Sequence, residues 1–315
     1  MQMVTIRNDD IHRNHPDVLL PAVSRECAPL YWSNVERGDY LAKDMDVTIL
    51  GLCRNSMPFI DVNVQRIERL GERFKSWRAF VYENDSEDDT ADCLRAWAER
   101  CENATVECVK HDRPLLSHEK SRRRTDAMAE YRQRCLEWAR ENRPAVGVPH
   151  VVIVVDLDTW GGWSDDGVMT GLAWMEHSPH LAAMASVSTV EMVVPNAPGG
   201  RLRIHYDAWA FRWNWWGEHD MPWFPHWLPP VGSRPVMVNS AFGGLAIYRQ
   251  EAFYAGTYTG GDCEHVNFHR SIHKATGMSM AINPSQRCVM TWIPEESKDA
   301  GDRLDGLPDA PGDGA

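Results

Sequence analysis

Two aspartates, Asp156 and Asp158, follow residues 151–155, a purely apolar run of Val and Ile. Side chains two positions apart in an extended chain point to the same side, so both carboxylates can face one ligand. Such oxygen atoms suit a hard divalent cation whose remaining ligands are water and phosphate oxygens. The alternative is a pair of solvated acids at the start of a loop, which the glycines at 161 and 162 also favour.

Polar clusters also follow two earlier predicted strands. Arg54 and Asn55 come just after residues 47–52, and residues 83–86 (Glu-Asn-Asp-Ser) follow residues 79–82. The carboxyl ends of parallel strands meet at one edge of a sheet, and such folds bind ligands there. Asn and Asp side chains at this edge can bind a ribose or a base, although turn and capping roles explain the Asp-Ser pair equally well.

Three arginines, residues 122–124, stand near the start of a helix predicted for residues 121–141. An exposed cation at a helix N-terminus loses about 0.3–1 kcal/mol against the helix dipole. A bound diphosphate would reverse the sign of that cost. A solvated basic face, paired with neighbouring acids, explains the same arginines, so the sequence leaves both interpretations open.

A late predicted helix begins with Glu264 and His265, just after Asp262. A carboxylate there can accept the proton of a hydroxyl group or hold a sugar hydroxyl. His265, His269 and His273 recur every four residues on one helix face. That spacing can ligate a metal, but it is more often a polar helix face.

Segment 209–227 is rich in tryptophan and proline. Aromatic faces bind the C–H surfaces of sugars and also stack on nucleobases, whereas the alternative is core packing in a proline-constrained loop. Gly243 and Gly244 follow this segment, and paired glycines allow a backbone to approach a ligand closely.

The composition limits the classes of protein that fit. The 315 residues carry 33 basic and 45 acidic side chains, a formal net charge of −12, which argues against a general nucleic-acid binder. Residues 110–124 nevertheless hold six bases and two acids, so a local anion site fits the sequence. No run is long enough to cross a bilayer, and no secretory signal is apparent. Eight scattered cysteines without a C-x-x-C pair indicate a reducing compartment, so we expect a cytoplasmic protein without a membrane span.

Apolar runs alternate with helical patterns over most of the chain. That alternation predicts an α/β fold, a mixed and mostly parallel sheet with helices on both faces. We expect an irregular N-terminal extension over residues 1–45, an α/β half over 46–180, a second half of the same domain over 181–294, and a disordered acidic tail over 295–315.

Taken together, these features resemble the GT-A type nucleotide-sugar glycosyltransferases, in particular the cryptococcal mannosyltransferase-like group and its bacterial and viral relatives. The resemblance covers about residues 47–290 and depends on the order of the pieces, since no single motif is specific. In chain order the matching pieces are residues 49–55, 82–90, 122–134, 156–158, 206–212, 240–248 and 263–265.

The resemblance implies a GT-A-like, Rossmann-type fold and an enzyme that moves a hexosyl or pentosyl group. The donor would be a UDP- or GDP-sugar bound by residues 46–180. The acceptor would be a hydroxyl group, on a saccharide in preference to DNA, bound by residues 181–294. The cofactor would be Mn²⁺ or Mg²⁺. The implied roles are catalysis by Glu264 and Asp262; nucleotide-sugar binding by Arg54, Asn55, Glu83, Asn84, Arg122, Arg124, Arg132 and Asp156; acceptor binding by Asp207, Trp209, Gly243, Gly244 and His265; and metal binding by Asp156 and Asp158.

The sequence departs from the family at one point. Such enzymes often take a further metal ligand from a histidine near the end of the chain, but no histidine follows His273. Water or His265 would then complete the metal site. The stereochemical course also stays open, because a general base at Glu264 implies inversion, whereas a purely positioning role is compatible with retention.

Three other functions fit some of the same residues. Residues 110–124 and the tryptophan-rich segment suit a glycosyltransferase that acts on hydroxymethylated bases of viral DNA, although the net charge of −12 opposes it. A nucleotidyltransferase also uses paired carboxylates and a metal on an α/β sheet. A non-catalytic carbohydrate-binding module would use the tryptophans and would not need Asp158.

Overall fold

The computed structural model of the chain describes residues 23–116, 120–193, 201–215 and 223–290. Within these ranges the strands are β1 Asp46–Cys53, β2 Ser76–Asn84, β3 Ala104–Val109, β4 His150–Asp156, β5 Gly162–Trp163, β6 Leu181–Val193, β7 Arg201–His205, β8 Val236–Val238, β9 Leu245–Arg249 and β10 Ser279–Val289. The helices are α1 Ala28–Ala42, α2 Ile60–Gly71, α3 Thr90–Arg100, α4 Arg122–Glu141, α5 Asp165–Glu176, α6 Gln250–Ala255 and α7 Glu264–Thr276, with a 3₁₀ turn at Phe224–His226.

All of the described strands belong to one mixed sheet, with the order β3–β2–β1–β4–β9–β6–β10–β5, β7 beside β6 and β8 beside β10. Strands β1 to β4 are parallel, β10 is parallel to β6, and β9 runs antiparallel between β4 and β6. Six of the ten strands found in the described ranges thus run in one direction, which confirms the predicted fold class. Their carboxyl ends meet at one edge of the sheet.

Helices cover both faces of this sheet, because each strand carries apolar side chains on both sides. One apolar cluster joins the sheet to α2, α3 and α5 through residues such as Ile67, Trp97 and Leu172. The other joins it to α4, α6 and α7 through residues such as Leu136 and Phe268. None of the helices in the described ranges combines the length and apolar character that a bilayer crossing requires.

The predicted irregular extension over residues 1–45 is wrong where the structure describes it. Residues 28–42 form the 15-residue helix α1, which begins with a proline in its first turn and packs on α5. Gly38 permits this close packing, because a Cβ atom there would lie 2.0 Å from the carbonyl oxygen of Met169. Residues 1–22 and the acidic tail 295–315 lie outside the described residues.

Candidate functional site

A cleft of about 980 Å³ opens at the sheet edge where the parallel strands end. Its walls come from the ends of β1, β2 and β4, the start of α4, the loop after β7 and the start of α7. Most of the residues predicted for the site line this cleft, namely Arg54, Asn84, Arg122, Arg124, Arg132, Asp156, Asp158, Asp207, Trp209, Glu264 and His265. The sequence pattern therefore identified groups that the fold brings together from positions up to about two hundred residues apart.

Asp156 forms an ion pair with Arg132, whose side chain is only 2% exposed. Burial alone would lower the pKa of this arginine, but the charge of Asp156 outweighs that effect and raises the pKa. The guanidinium also lies 5.2 Å from the centre of the Phe242 ring. The pair fixes Asp156 at the tip of β4.

Asp158 lies two residues further along and reaches into the cleft, where its side chain is exposed. The protein that surrounds the cleft and the neighbouring charge of Asp156 both oppose ionisation of this carboxyl, and they raise the pKa of Asp158. Each of these two carboxyl groups opposes the ionisation of the other, and a cation bound between them would stabilise the ionised form of both.

These two carboxylates are the donors that could hold a metal ion. Their hard oxygen atoms fit Mg²⁺ or Mn²⁺, with water and phosphate oxygens in the other positions. No group of three or more His, Cys, Asp or Glu side chains in metal-binding proximity occurs among residues 23–116, 120–193, 201–215 and 223–290.

Part of the cleft lining is basic. Arg54, Arg113 and Lys120 line the cleft together with residues 122–124 at the start of α4. This helix has no acidic residue in its first turn, and its N-cap Ser121 accepts a hydrogen bond from the backbone N–H of Arg124 at 3.3 Å. Helix N–H groups and arginines that converge on one space form an anion-binding wall.

Arg113 and the loop that carries it were not identified from the sequence. Asp85, with a φ of +54°, accepts hydrogen bonds from the backbone N–H groups of His111 and Asp112, both at 2.7 Å. Burial opposes its charge, but these hydrogen bonds and that from Asn84 lower the pKa of Asp85. Asp85 thus holds residues 111–113 against the end of β2. A turn role for this aspartate was one of the two interpretations that the sequence left open.

Two residues predicted to bind the nucleotide, Asn55 and Glu83, do not line the cleft in the described structure. Asn55, at a φ of +51°, donates its N–H to Ser86 Oγ at 2.9 Å, and its side chain accepts a hydrogen bond from the N–H of Glu87 at 2.8 Å. Glu83 is 2% exposed and accepts a hydrogen bond from the N–H of Ser86 at 2.8 Å. Asn55 therefore ties the loop after β1 to the loop after β2, whereas Glu83 fixes the turn that directly follows β2.

The far wall of the cleft carries Asp207, Trp209, Glu264 and His265. Burial raises the pKa of Asp207 to about 6, although the carboxylate accepts a hydrogen bond from the N–H of Gly243 at 2.7 Å. Trp209 faces the Arg124 guanidinium across 5.0 Å. Burial also raises the pKa of Glu264 above its usual range.

Gly243 and Gly244 lie behind this wall and are not among its lining residues in the described structure. Both have positive φ, +69° and +79°, and a Cβ on Gly243 would lie 2.1 Å from the carbonyl oxygen of Ser186. The carbonyl of Gly244 accepts a hydrogen bond from the N–H of Asp156 at 2.9 Å. The glycine turn therefore packs backbone against backbone and positions Asp156 and Asp207.

Asp262 is likewise not among the residues that line the cleft in the described structure. Its carboxylate accepts hydrogen bonds from the Arg212 guanidinium and from the N–H of Cys263, both at 2.7 Å. These contacts fix the start of α7, so Asp262 orients the helix that carries Glu264.

The three histidines of α7 have separate environments. His269 is buried and bonded at both ring nitrogens, to Ser240 Oγ and to the Tyr248 hydroxyl, each at 2.8 Å. His273 is exposed and bonds the Met278 carbonyl at 2.9 Å. They do not form a shared metal site within the described residues, and only His265 reaches the cleft.

No protein-family model matches the sequence, and no curated protein matches it. Solved structures do match. GalNAc-T7 with UDP, GalNAc and Mn²⁺ is 11% identical, with a TM-score of 0.50 over 90% of this chain and 57% of that chain. The chain has a GT-A-type fold.

Two further structures are similar to this GT-A-type chain at lower scores. The mannosyltransferase PcManGT from Pyrobaculum calidifontis, in complex with GDP-Man and Mn²⁺, is 15% identical, with a TM-score of 0.44 over 87% of this chain and 68% of that chain. S. aureus TarS is 12% identical, with a TM-score of 0.45 over 78% of this chain and 60% of that chain. The resemblance to the cryptococcal mannosyltransferase-like group stays a prediction.

Proposed function

We propose that the protein is a metal-dependent glycosyltransferase that moves a sugar from a nucleoside-diphosphate sugar to a hydroxyl acceptor, in first place on a saccharide. The observation that carries the proposal is the convergence of two aspartates, a basic wall and buried carboxylates on one cleft at the parallel strand ends. The same fold in GalNAc-T7, which was solved with UDP, GalNAc and Mn²⁺, supports it.

In this proposal the donor lies between the β1, β2 and β4 ends and α4. Asn84 and Arg54 lie where the nucleoside would bind, and Arg122, Arg124 and the α4 N-terminus face its diphosphate. Asp156 and Asp158 would hold Mn²⁺ or Mg²⁺, which supplies positive charge next to the leaving diphosphate. The arginines stabilise the same developing negative charge.

The acceptor would lie against Asp207, Trp209, Glu264 and His265. In the transfer, a bond forms between the acceptor oxygen and the anomeric carbon, and the bond from that carbon to the diphosphate oxygen breaks with its electron pair on the diphosphate. Burial raises the pKa of Glu264, and a carboxylate of raised pKa is a better acceptor for the hydroxyl proton. If Glu264 takes that proton directly, the product has inverted configuration, which product NMR would determine.

All eight cysteines are free thiols in the structure, two of them in the cleft lining. We propose a reducing, cytoplasmic location for the protein, because thiols persist in that compartment.

The test is a thermal-shift panel of UDP-, GDP- and CMP-sugars with and without Mn²⁺. A ligand at 100 times its dissociation constant adds about 2.7 kcal/mol to the free energy of unfolding. We expect Mn²⁺-dependent stabilisation by a UDP- or GDP-sugar, which Asp158→Ala abolishes. The matched control is Asp92→Ala, because the Asp92 side chain is 82% exposed and pairs with Arg95 on the same helix, α3.

Two outcomes would contradict the proposal. Stabilisation by nucleoside triphosphates with release of pyrophosphate would indicate a nucleotidyltransferase. Stabilisation by free saccharides that survives Asp158→Ala would indicate a carbohydrate-binding module.

A further inference from the structure

The loop that carries Asp158 is hydrogen-bonded to helix α2. Leu157 and Thr159, the two neighbours of Asp158, are fully buried, whereas the Asp158 side chain is exposed in the cleft. The side-chain amide of Asn63 donates hydrogen bonds to the carbonyl oxygens of both neighbours, at 2.8 Å to Leu157 and 2.9 Å to Thr159. One buried side chain therefore fixes the backbone before and after Asp158.

Asn63 is in turn oriented by Arg66, which lies three residues further along α2. The Arg66 guanidinium donates to the Asn63 side-chain oxygen at 2.7 Å and has a longer contact of 3.5 Å to the Trp160 carbonyl. Because a guanidinium only donates and a carbonyl only accepts, these partners determine the orientation of the Asn63 amide. Gly162 brings the loop backbone against the same arginine, since a Cβ there would lie 2.6 Å from Arg66 Nη1.

Asn63 and Arg66 occupy positions on α2 where apolar side chains would be the ordinary choice. They are 0% and 3% exposed and lie among the buried residues Ile60, Val64 and Ile67. Burial lowers the pKa of Arg66 to about 10, and its hydrogen-bond partners in the described ranges are Asn63 and a carbonyl rather than a carboxylate. Burial of an amide and a charge is costly. What these two side chains add is a fixed backbone around Asp158.

The second aspartate needs such support more than the first. Asp156 is the last residue of β4 and has its own partner in Arg132. Asp158 lies two residues beyond the end of that strand. Two like charges repel, so an unsupported Asp158 would move away from Asp156 while no cation lies between them.

We propose that Asn63, oriented by Arg66, is a positioning residue for the metal site: it keeps Asp158 where both carboxylates can share one cation. This inference rests on the proposed function. A loop that is already held in its binding geometry loses less conformational entropy when the cation binds. The hydrogen bonds from Asn63 therefore strengthen metal binding, although Asn63 does not touch the metal.

The test measures the affinity for Mn²⁺ from the electron paramagnetic resonance signal of the free ion, with UDP and, separately, with GDP. The Mn²⁺ bound by each nucleotide alone is subtracted. Asn63→Leu removes the hydrogen bonds to the loop and keeps a side chain of similar size. We expect its dissociation constant for Mn²⁺ to rise at least about tenfold, because loss of a group that orients a metal ligand typically costs about 10- to 100-fold in affinity.

Asn63→Asp separates positioning from stability. Its carboxylate can still accept a hydrogen bond from Arg66, now as an ion pair, but an ionised carboxylate cannot donate to the carbonyls of the loop. We expect the Mn²⁺ dissociation constant of this variant also to rise at least about tenfold. Its urea midpoint should nevertheless stay closer to that of the wild type than the midpoint of Asn63→Leu does.

Asn283 supplies the matched control. It is 0% exposed and does not line the cleft in the described structure. Its amide donates to the Gly167 carbonyl at 3.3 Å and to Thr170 Oγ1 at 2.9 Å. Its oxygen accepts from the N–H of Ser285 at 3.0 Å. Asn283→Leu should lower the urea midpoint but leave the Mn²⁺ dissociation constant within about twofold of the wild-type value, as expected for a site that shares no partner with the metal site.

An unchanged Mn²⁺ dissociation constant in Asn63→Leu or in Asn63→Asp would overturn the inference, as would an equal rise in Asn283→Leu. These outcomes leave the proposed function intact, because the wild type still binds Mn²⁺ together with the nucleotide. Failure of the proposed function is a different result, in which neither UDP nor GDP promotes Mn²⁺ binding by the wild type.

Discussion

The ion pair between Arg132 and Asp156 joins the middle of α4 to the tip of β4, and Arg132→Met would break it. The arginine side chain is 2% exposed and that of the aspartate 25%. Methionine keeps much of the buried volume but removes the charge, so Asp156 loses its partner. Removal of one member of a buried pair costs about 3–5 kcal/mol. Because a quarter of Asp156 still reaches solvent, we expect the lower end, about 3 kcal/mol of the free energy of unfolding.

Urea unfolding followed by tryptophan fluorescence measures this loss. Arg134→Met is a matched control two residues along α4, because Arg134 and its partner Glu107 are 34% and 33% exposed. A pair this exposed contributes only about 1 kcal/mol or less. The double variant Arg132→Met/Asp156→Asn should regain at least half of the loss, since it leaves no unpaired charge. Equal losses of unfolding free energy in Arg132→Met and Arg134→Met would refute the reasoning. So would a loss in the double variant that equals the sum of the losses in Arg132→Met and Asp156→Asn.

Two further predictions concern Gly243 and Asp207, which are joined by a hydrogen bond. Gly243→Ala should cost more than about 2 kcal/mol of unfolding free energy, since the new Cβ would lie 2.1 Å from the Ser186 carbonyl oxygen at a φ of +69°. Gly147→Ala, at a φ of +91° with open space around it, should cost only about 1 kcal/mol, and equal urea midpoints for the two variants would contradict this. Burial raises the pKa of Asp207 to about 6 in the folded protein, whereas an aspartate in the unfolded chain loses its proton near pH 4. Between about pH 4 and pH 6 the folded state therefore binds more protons than the unfolded state at this residue. The contribution of this carboxyl to the free energy of unfolding thus falls as the pH rises through that range. The stability of Asp207→Asn relative to the wild type should grow over that range in urea titrations, and a constant difference would show that this group does not titrate as described.

The sequence predicted strands β1 to β4 well, because they are short, apolar and rich in β-branched residues. A parallel strand buried on both faces leaves little choice of side chain, and the polar residues that follow it mark the sheet edge. Asp156, Asp158 and Arg54 were found in this way, and all three line the cleft.

The parts that were missed have weaker local signals. Strand β10, Ser279–Val289, contains Asn283 and Gln286, which interrupt its apolar pattern. The structure accommodates them by a register shift between Asn283 and Arg287, and bonds the Gln286 amide to the carbonyls of Met184 and Leu245. These compensating contacts come from residues about forty to one hundred positions away, so local patterns do not reveal them.

The sequence predicted site residues from the chemical type of their side chains, but it did not show which way those side chains point. Asn55, Glu83 and Asp262 have suitable side chains at suitable positions. In the structure, however, Asn55 is bonded to the loop after β2, Glu83 to the turn that follows its own strand, and Asp262 to Arg212. Which way a loop side chain points depends on backbone angles such as the φ of +51° at Asn55, which the sequence does not specify.

Strand β9 runs against both of its neighbours, so the chain enters it at the cleft and leaves it at the opposite edge. It therefore separates two parallel groups of strands, β1 to β4 on one side and β6 with β10 on the other, each with its own loops at the mouth of the cleft. Under the proposed function, the two substrates meet across this seam but are recognised by different stretches of polypeptide. Loops on one flank can then diverge to accept new hydroxyl compounds while the nucleotide-binding flank keeps its hydrogen-bonded register.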